Sequence, residues 1–316
     1  MRSHSALYVD AGYLIAAAAT RLTGSSFRRG VEVDYGRLLS ELISLVEVRT
    51  GLPILRVYWY DAARDGLANP VQEQIALLPK VKLRLGRVGV EGEQKGVDLR
   101  IGLDMVGHSR NGAVDTMYLL SGDDDLTEAV EEAQTQGVQV IVLAVPSRTG
   151  GLQGVSRHLM RAADDLEALD GTLLDSAVSA VVPDPVATTS DPLEATPPPT
   201  PADLARRVPS TIPPRMSSEV RSSLVHSSPP SVPVVLRDPA ELSAAIVQVA
   251  TKTYEAWAKS ATAAQREELL RGHPSIPRDL DRALLIDLSD VLDEYTLSDP
   301  TRVELRSKFW VAAGGS

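Results

Sequence analysis

The 316-residue chain contains no cysteine, so disulfides and thiolate-bound metal are excluded, and a reducing compartment suits it. Phenylalanine, tryptophan and tyrosine together make up 4%, too few for a surface built on many stacked nucleobases. Basic residues are outnumbered: the net charge is −10, which argues against indiscriminate binding to polyanions. No stretch approaches the roughly 20 uninterrupted apolar residues of a membrane-spanning helix. Near the start, Asp10 and Gly12 interrupt the run ALYVDAGYLIAAAA at its centre, where a secretory leader would be apolar throughout. The expectation is a soluble, cytoplasmic protein with no membrane partner. Any nucleic acid it takes must be held locally, by metal and a few basic side chains.

With 43% hydrophobic residues the chain can bury a substantial core. Residues 1–182 alternate short β-rich runs with helical spacing. Strands are expected at Ala6–Asp10, Ile54–Tyr60, Val81–Val88, Thr116–Ser121 and Gln139–Val145. Helices are expected at Gly12–Leu22, Tyr35–Thr50, Val71–Leu78, Val97–Val106, Leu126–Gln136 and Leu152–Arg161. Such alternation predicts an α/β fold, a parallel sheet with helices on both faces. Right-handed crossovers then bring every strand's carboxyl end to one edge.

Residues 183–237 hold 13 of the 21 prolines among many serines and threonines, which predicts an extended, disordered linker. Residues 238–316 read as a small all-helical C-terminal module. Asp238 caps the first of its helices, which carries Leu242, Ile246, Val249, Tyr254 and Trp257 on one face. Further helices are expected at Ala263–Leu270, Arg278–Tyr295 and from Asp299 onward. Two of the three tryptophans lie in this module, as core or interface anchors.

The chemistry concentrates where apolar segments end. Asp10 in VDAGYL, Asp98 in KGVDLRIGLD, and Asp123 and Asp125 in LLSGDDDL all fall at the predicted carboxyl edge, where open α/β sheets bind ligands. Acids gathered there repel one another unless a cation or shared proton neutralises them. Hard oxygen donors suit Mg²⁺ or Mn²⁺. Each also has a plainer reading: Asp10 as a turn residue, Asp125 as a helix cap, Asp98 as an anion at a helix start. Capping needs one acid, however, and not three in succession, and Asp124 is expected to point away.

Asp104 lies six residues beyond Asp98, roughly 120° around the helix, and is expected to support the cluster from behind or serve as a structural partner. Asp61 is expected to end its strand at the same edge. Lys95, Arg64, Arg148 and Arg157, with Ser156, are candidates to meet substrate phosphates. For Lys95 a solvated loop lysine is the alternative. A haloacid-dehalogenase-like phosphatase would want a second aspartate where Gly12 stands, and a receiver domain would want an acidic pair near the first strand.

Together, VDAGYL, KGVDLRIGLD and SGDDDL resemble the NYN domains, a PIN-like nuclease branch that includes the bacterial LabA-like proteins. The resemblance covers about residues 5–175. It implies a Rossmann-like sheet, an acidic Mg²⁺ or Mn²⁺ site at Asp10, Asp98, Asp123 and Asp125, and endonucleolytic hydrolysis of RNA. One position departs from the pattern: the family often has Asn three residues after the first Asp, and here Tyr13 stands among the substrate-facing positions. The C-terminal segment is similar, in IPRDLDRALL and RVELRSKFW, to the LOTUS-type modules found beside NYN domains. A helical module for a protein partner explains the same pattern. The resulting expectation is a metal-dependent endoribonuclease. Its alternative is a catalytically weak regulator that binds RNA or protein, motivated by Tyr13, the net charge and the helical module.

Overall fold

The computed structural model describes residues 3–63, 66–88, 94–148, 150–181, 239–292, 294 and 297–314. The expected linker and the Asp238 cap lie outside these residues. The first strand, β1 (Ser5–Asp10), runs into α1 (Ala11–Thr23), followed by a 3₁₀ turn at Arg28–Gly30 and the short β2 (Val31–Val33). Helix α2 (Tyr35–Thr50) starts where the Asp34 side chain accepts from Arg37 N and stops at Gly51, whose φ is +64°. Then come β3 (Ile54–Ala63), α3 (Pro70–Ala76), β4 (Val81–Val88), the two-residue β5 (Gln94–Lys95) and α4 (Val97–Arg110). The remainder of this part is β6 (Thr116–Leu120), a 3₁₀ turn (Asp124–Leu126), α5 (Thr127–Thr135), β7 (Gln139–Ala144), α6 (Arg157–Ala162), β8 (Asp165–Ala168), α7 (Gly171–Ala177) and β9 (Val178–Ala180).

The main sheet has the order β5-β4-β3-β1-β6-β7-β8, parallel throughout except for the antiparallel β5 edge. Period-two alternation explains why helices cover both faces. Leu7, Val9, Val57, Trp59, Tyr118 and Leu120 face one core with α1, α2 and α7. Ala6, Tyr8, Tyr58, Tyr60, Met117 and Leu119 face the other, with α4 and α5. From β1 the chain moves out to β3 and β4, then returns past β1 to β6 and β7. The strand order therefore reverses between β1 and β6, and the crevice for ligands opens at that point.

Local departures from the expectations have local causes. The helix expected from Leu152 begins at Arg157: Leu152 instead bridges Pro146, and the Ser156 side chain caps the helix by accepting from Leu159 N. Asp61 does not end its strand, because β3 continues to Ala63. Strands β2 and β9 pair with each other, and β8 extends the main sheet; none was expected.

Four helices follow: α8 (Pro239–Ser260), α9 (Ala263–Arg271), α10 (Arg278–Leu292) and α11 (Asp299–Ala312). They bury Ile246, Val249, Leu284, Leu288, Leu305 and Phe309, and one further side chain that is not theirs, Phe27 from the segment after α1. They belong to the same compact unit as the sheet. Among the described residues no helix is long and apolar enough to cross a membrane.

Candidate metal centre

The end of β1 places Asp10 at the reversal of strand order. Its Oδ1 accepts hydrogen bonds from Gly12 N at 2.8 Å and Tyr13 N at 3.2 Å, capping α1. The other oxygen, Oδ2, meets Ser121 Oγ at 3.4 Å. Burial pushes the Asp10 carboxyl above its ordinary value; the Tyr13 N–H and Arg28 pull against that, and Asp123 adds to it.

Across the crevice, β6 ends in Ser121, Gly122 and Asp123. Asp123 N donates to Ser121 Oγ at 3.3 Å, so one hydroxyl links the two aspartates. Asp123 Oδ1 accepts from Asp125 N at 3.1 Å. Burial raises the Asp123 carboxyl, and Asp125 and Asp124 add to the rise. The third arm comes from α4. Gly96, at φ +77°, turns the chain from β5 into the helix and sets Asp98 in its first turn. The Asp98 carboxyl is pushed up to about 6, first by burial and then by the charges of Asp123, Asp10 and Asp125. Asp98 on α4 is thus coupled through charge to the carboxylates on β1 and on the β6 turn.

This donor set fits a hard divalent cation in its chemistry: carboxylates alone, each destabilised by its neighbours' charge. Among the described residues, however, no three Asp, Glu or His side chains are gathered tightly enough to hold one ion.

Close packing fixes this edge. A Cβ built on Gly122 would lie 1.6 Å from Gly154 O and 3.0 Å from Tyr13 Cε2, so the loop after β7 rests directly on the backbone between Ser121 and Asp123. Tyr13 secures that loop. Its hydroxyl donates to Gln153 O at 2.7 Å and accepts from Val145 N at 3.2 Å. Both hydrogen-bonding directions are occupied by backbone, so the hydroxyl serves the loop and is not presented to a substrate.

The other candidates scatter. Asp104 accepts from Tyr60 Oη at 2.9 Å and pairs with Arg84 at 3.0 Å, a structural bond on the α4 face. Asp61 accepts from Gln72 Nε2 at 2.7 Å, which ties β3 to α3. Asp124 turns away from the crevice: its carboxylate accepts from Ser156 Oγ at 2.6 Å and meets His158 Nδ1 at 3.2 Å. Arg148 and Arg157 are exposed, after β7 and at the start of α6. Arg64 and the Lys95 side chain lie outside the described residues; the Lys95 backbone pairs with Arg87.

Three residues at the site escaped the sequence reading. Ser121 had a visible signal, a hydroxyl at the strand end directly before Gly-Asp. Arg28 had none, because the segment SSFRRG carries no periodicity. Asp290, on α10, lies far along the chain, yet its Oδ2 would be 3.9 Å from a Cβ on Gly154. Its carboxyl is pushed up to about 6 by burial and by Asp287.

A family model described as NYN domain matches residues 4–170. A curated relative, the uncharacterized protein y4oD of Sinorhizobium fredii (strain NBRC 101917 / NGR234), is 42% identical over 78 residues. That match covers 24% of this chain and 36% of the relative, so it spans little more than a third of that protein. Among solved structures, a hydrolase of the isochorismatase family from Chromobacterium violaceum aligns with 10% identity and a TM-score of 0.23. It covers 56% of this chain and 96% of that one, and at that score it carries no argument.

Proposed function

The chain belongs to the NYN domain family, a family of PIN-like nucleases, and on that footing we propose that it is a cytoplasmic, metal-dependent endoribonuclease that hydrolyses RNA phosphodiester bonds. One observation carries the reading. At the reversal of strand order the Ser121 hydroxyl joins Asp10 on β1 to Asp123 after β6, and the charges of those two acids add to burial in raising the Asp98 carboxyl on α4. Like charges gathered at the strand-order reversal are costly unless a cation is shared among them.

In this reading Asp10, Asp98, Asp123 and Asp125 hold Mg²⁺ or Mn²⁺, with the exposed Asp125 acting through water. When bound, the cation supplies water activation and charge neutralisation at the scissile phosphate. The chain's own residues set the geometry. Asp10 is locked by two backbone N–H groups, and Ser121 ties it to Asp123. Lys95, Arg64, Arg148 and Arg157 are the proposed contacts to the RNA backbone, which they would position without reading its sequence. The test is Mn²⁺-dependent cleavage of single-stranded RNA by the parent, Asp10→Asn and Asp123→Asn. Variants that cut as fast as the parent would overturn the assignment.

A second reading is a weak or inactive NYN-fold regulator that binds RNA or a protein partner through its helical part. It is favoured by the spread of the carboxylates, no three of which gather on one ion among the described residues. Calorimetry separates the two: no heat with millimolar Mn²⁺ supports the regulator.

A further inference from the structure

Helix α4 covers only part of the sheet face on which it packs, and the part it leaves open is basic. Strand register sets the positions. Asp10, Tyr60 and Arg84 lie side by side across β1, β3 and β4; Tyr8, Tyr58 and Lys82 form the row below, and Arg56 pairs with Ala6 beneath them. Neighbours in register share a face, and Ala6, Tyr8, Tyr58 and Tyr60 are buried under α4. The helix follows the same rows. Asp104 accepts from Tyr60 Oη at 2.9 Å and pairs with Arg84 at 3.0 Å. His108 Nδ1 meets Tyr8 Oη at 2.8 Å, and its ring stacks on Tyr58 with centroids 4.6 Å apart. Arg100, one turn before Asp104, shares the side of α4 that faces β4. Lys82 and Arg100 are exposed, and Arg56 and Arg84 are half-buried. Of these four cations only Arg84 has a partner: among the described residues the side chains of Arg56, Lys82 and Arg100 make no ion pair or hydrogen bond.

We propose that this ledge between α4 and β4 is a track for the phosphate backbone of an RNA strand, leading away from the carboxylate crevice. The proposal rests on the nuclease reading above and names where the substrate continues beyond the point of cleavage. Charge selects the occupant. In a chain of net charge −10, four cations here (Arg56, Lys82, Arg84 and Arg100) face one acid, Asp104, which Tyr60 and Arg84 already engage. Unpaired like charges are relieved by a polyanion, and guanidinium and ammonium groups both suit phosphate oxygens. Position selects the path. Helix α4 carries Asp98 at its crevice end and His108 ten residues on, about 15 Å away at 1.5 Å per residue. A strand lying over the acids and following this helix passes Arg100, then Arg84, then Lys82 and Arg56. The rings of Tyr8 and Tyr58 are buried beneath it, so they brace the floor and stack on no base. The track therefore holds backbone without reading sequence.

The test uses the full chain and a fluorescein-labelled 12-nucleotide RNA, with binding read by fluorescence anisotropy in EDTA. The variants are Arg56→Ala, Lys82→Ala and Arg100→Ala, the last two at exposed positions that keep the fold testable if Arg56→Ala unfolds. Arg110→Ala is the control, a cation of the same helix that is already paired with Glu132 at 2.7 Å. Each ledge variant is expected to weaken binding about fivefold. The slope of log affinity against log salt should fall by about 0.7 per lost contact on a single strand, while Arg110→Ala changes neither quantity. Unchanged affinity and slope in folded Lys82→Ala and Arg100→Ala, an equal loss in Arg110→Ala, or no RNA binding by the parent overturns the track. So does tighter binding of the parent to polyglutamate than to RNA of equal charge, which would make an acidic protein segment the occupant. Cleavage separates this from the nuclease reading. If Asp10→Asn cuts normally while Lys82→Ala and Arg100→Ala bind poorly, the metal assignment fails and the track stands. Lost cleavage in Asp10→Asn, with parental binding in the two ledge variants, fails the track alone.

Discussion

Replacing Gly122 by alanine asks one methyl group to enter a space that a carbonyl already fills. The added Cβ would sit 1.6 Å from Gly154 O, and real Cβ contacts essentially never fall below 3.0 Å, so the loop after β7 must retreat by at least about 1.4 Å. The hydrogen bond from Tyr13 Oη to Gln153 O, now 2.7 Å, lies in that loop and would be stretched beyond useful length. The bond from Ser156 N to Gly122 O, 3.0 Å, is strained by the same movement. Overpacking costs about 1–3 kcal/mol and each lost hydrogen bond about 1 kcal/mol, so Gly122→Ala should destabilise the protein by about 3 kcal/mol. Melting should fall by roughly 10 °C. Gly154→Ala is the matched control. Its φ is +56°, and its Cβ would meet only Tyr13 Cε2 at 3.6 Å and Asp290 Oδ2 at 3.9 Å. Only the left-handed backbone penalises it, by about 1–2 kcal/mol. Urea denaturation of the three proteins measures the ranking. A Gly122→Ala loss below about 1 kcal/mol, or a larger loss in Gly154→Ala, would refute the close-packing argument.

Two further outcomes are expected. Asp287→Ala strips the acceptor from Ser25 Oγ, Ser26 N and Thr253 Oγ1 in a buried site and should cost about 3 kcal/mol in chemical denaturation; a loss within experimental error would mean the contact is not dry. The second outcome concerns pH. Asp98 has its folded-state carboxyl raised to about 6, so its ionisation opposes folding: the stability it contributes is complete below its ordinary value and is lost as pH rises through about 6. In EDTA, the melting temperature of the parent should therefore fall between about pH 4 and 6 relative to Asp98→Asn. A difference that is flat with pH, or that grows in the opposite sense, would show that Asp98 does not feel its neighbours.

Much of the fold could be read because buried parallel strands and amphipathic helices write their periods locally. Leu7 and Val9 against Ala6 and Tyr8 mark the two faces of β1, and Asp34 and Gly51 bracket α2. The short strands were illegible for the opposite reason. DLEA in β8 and VEV in β2 alternate, but over only four and three residues, too short a run to mark a strand, and they are strands because partners elsewhere pair with them. The false start at Leu152 arose from helical spacing that a bridge to Pro146 overrides. At the site, Asp10, Asp98 and Asp123 were visible because strand ends and helix starts point to one edge. The role of Tyr13 was not, since its two bonds reach residues more than 130 positions away. Ser25 and Ser26 were hidden for the same reason: their bonds reach Asp287 on α10, 262 and 261 positions along the chain.

The burial of Phe27 among the C-terminal helices bears on how the protein can be dissected. An expression fragment trimmed to residues 4–170 would strip the shelter from that ring and leave Ser25 and Ser26 without Asp287. It would also discard Leu173 and Leu174 of α7, which plug one face of the sheet. Cutting at the edges of the family match would therefore sever two cores at once, and a soluble working piece must carry both ends of the polypeptide.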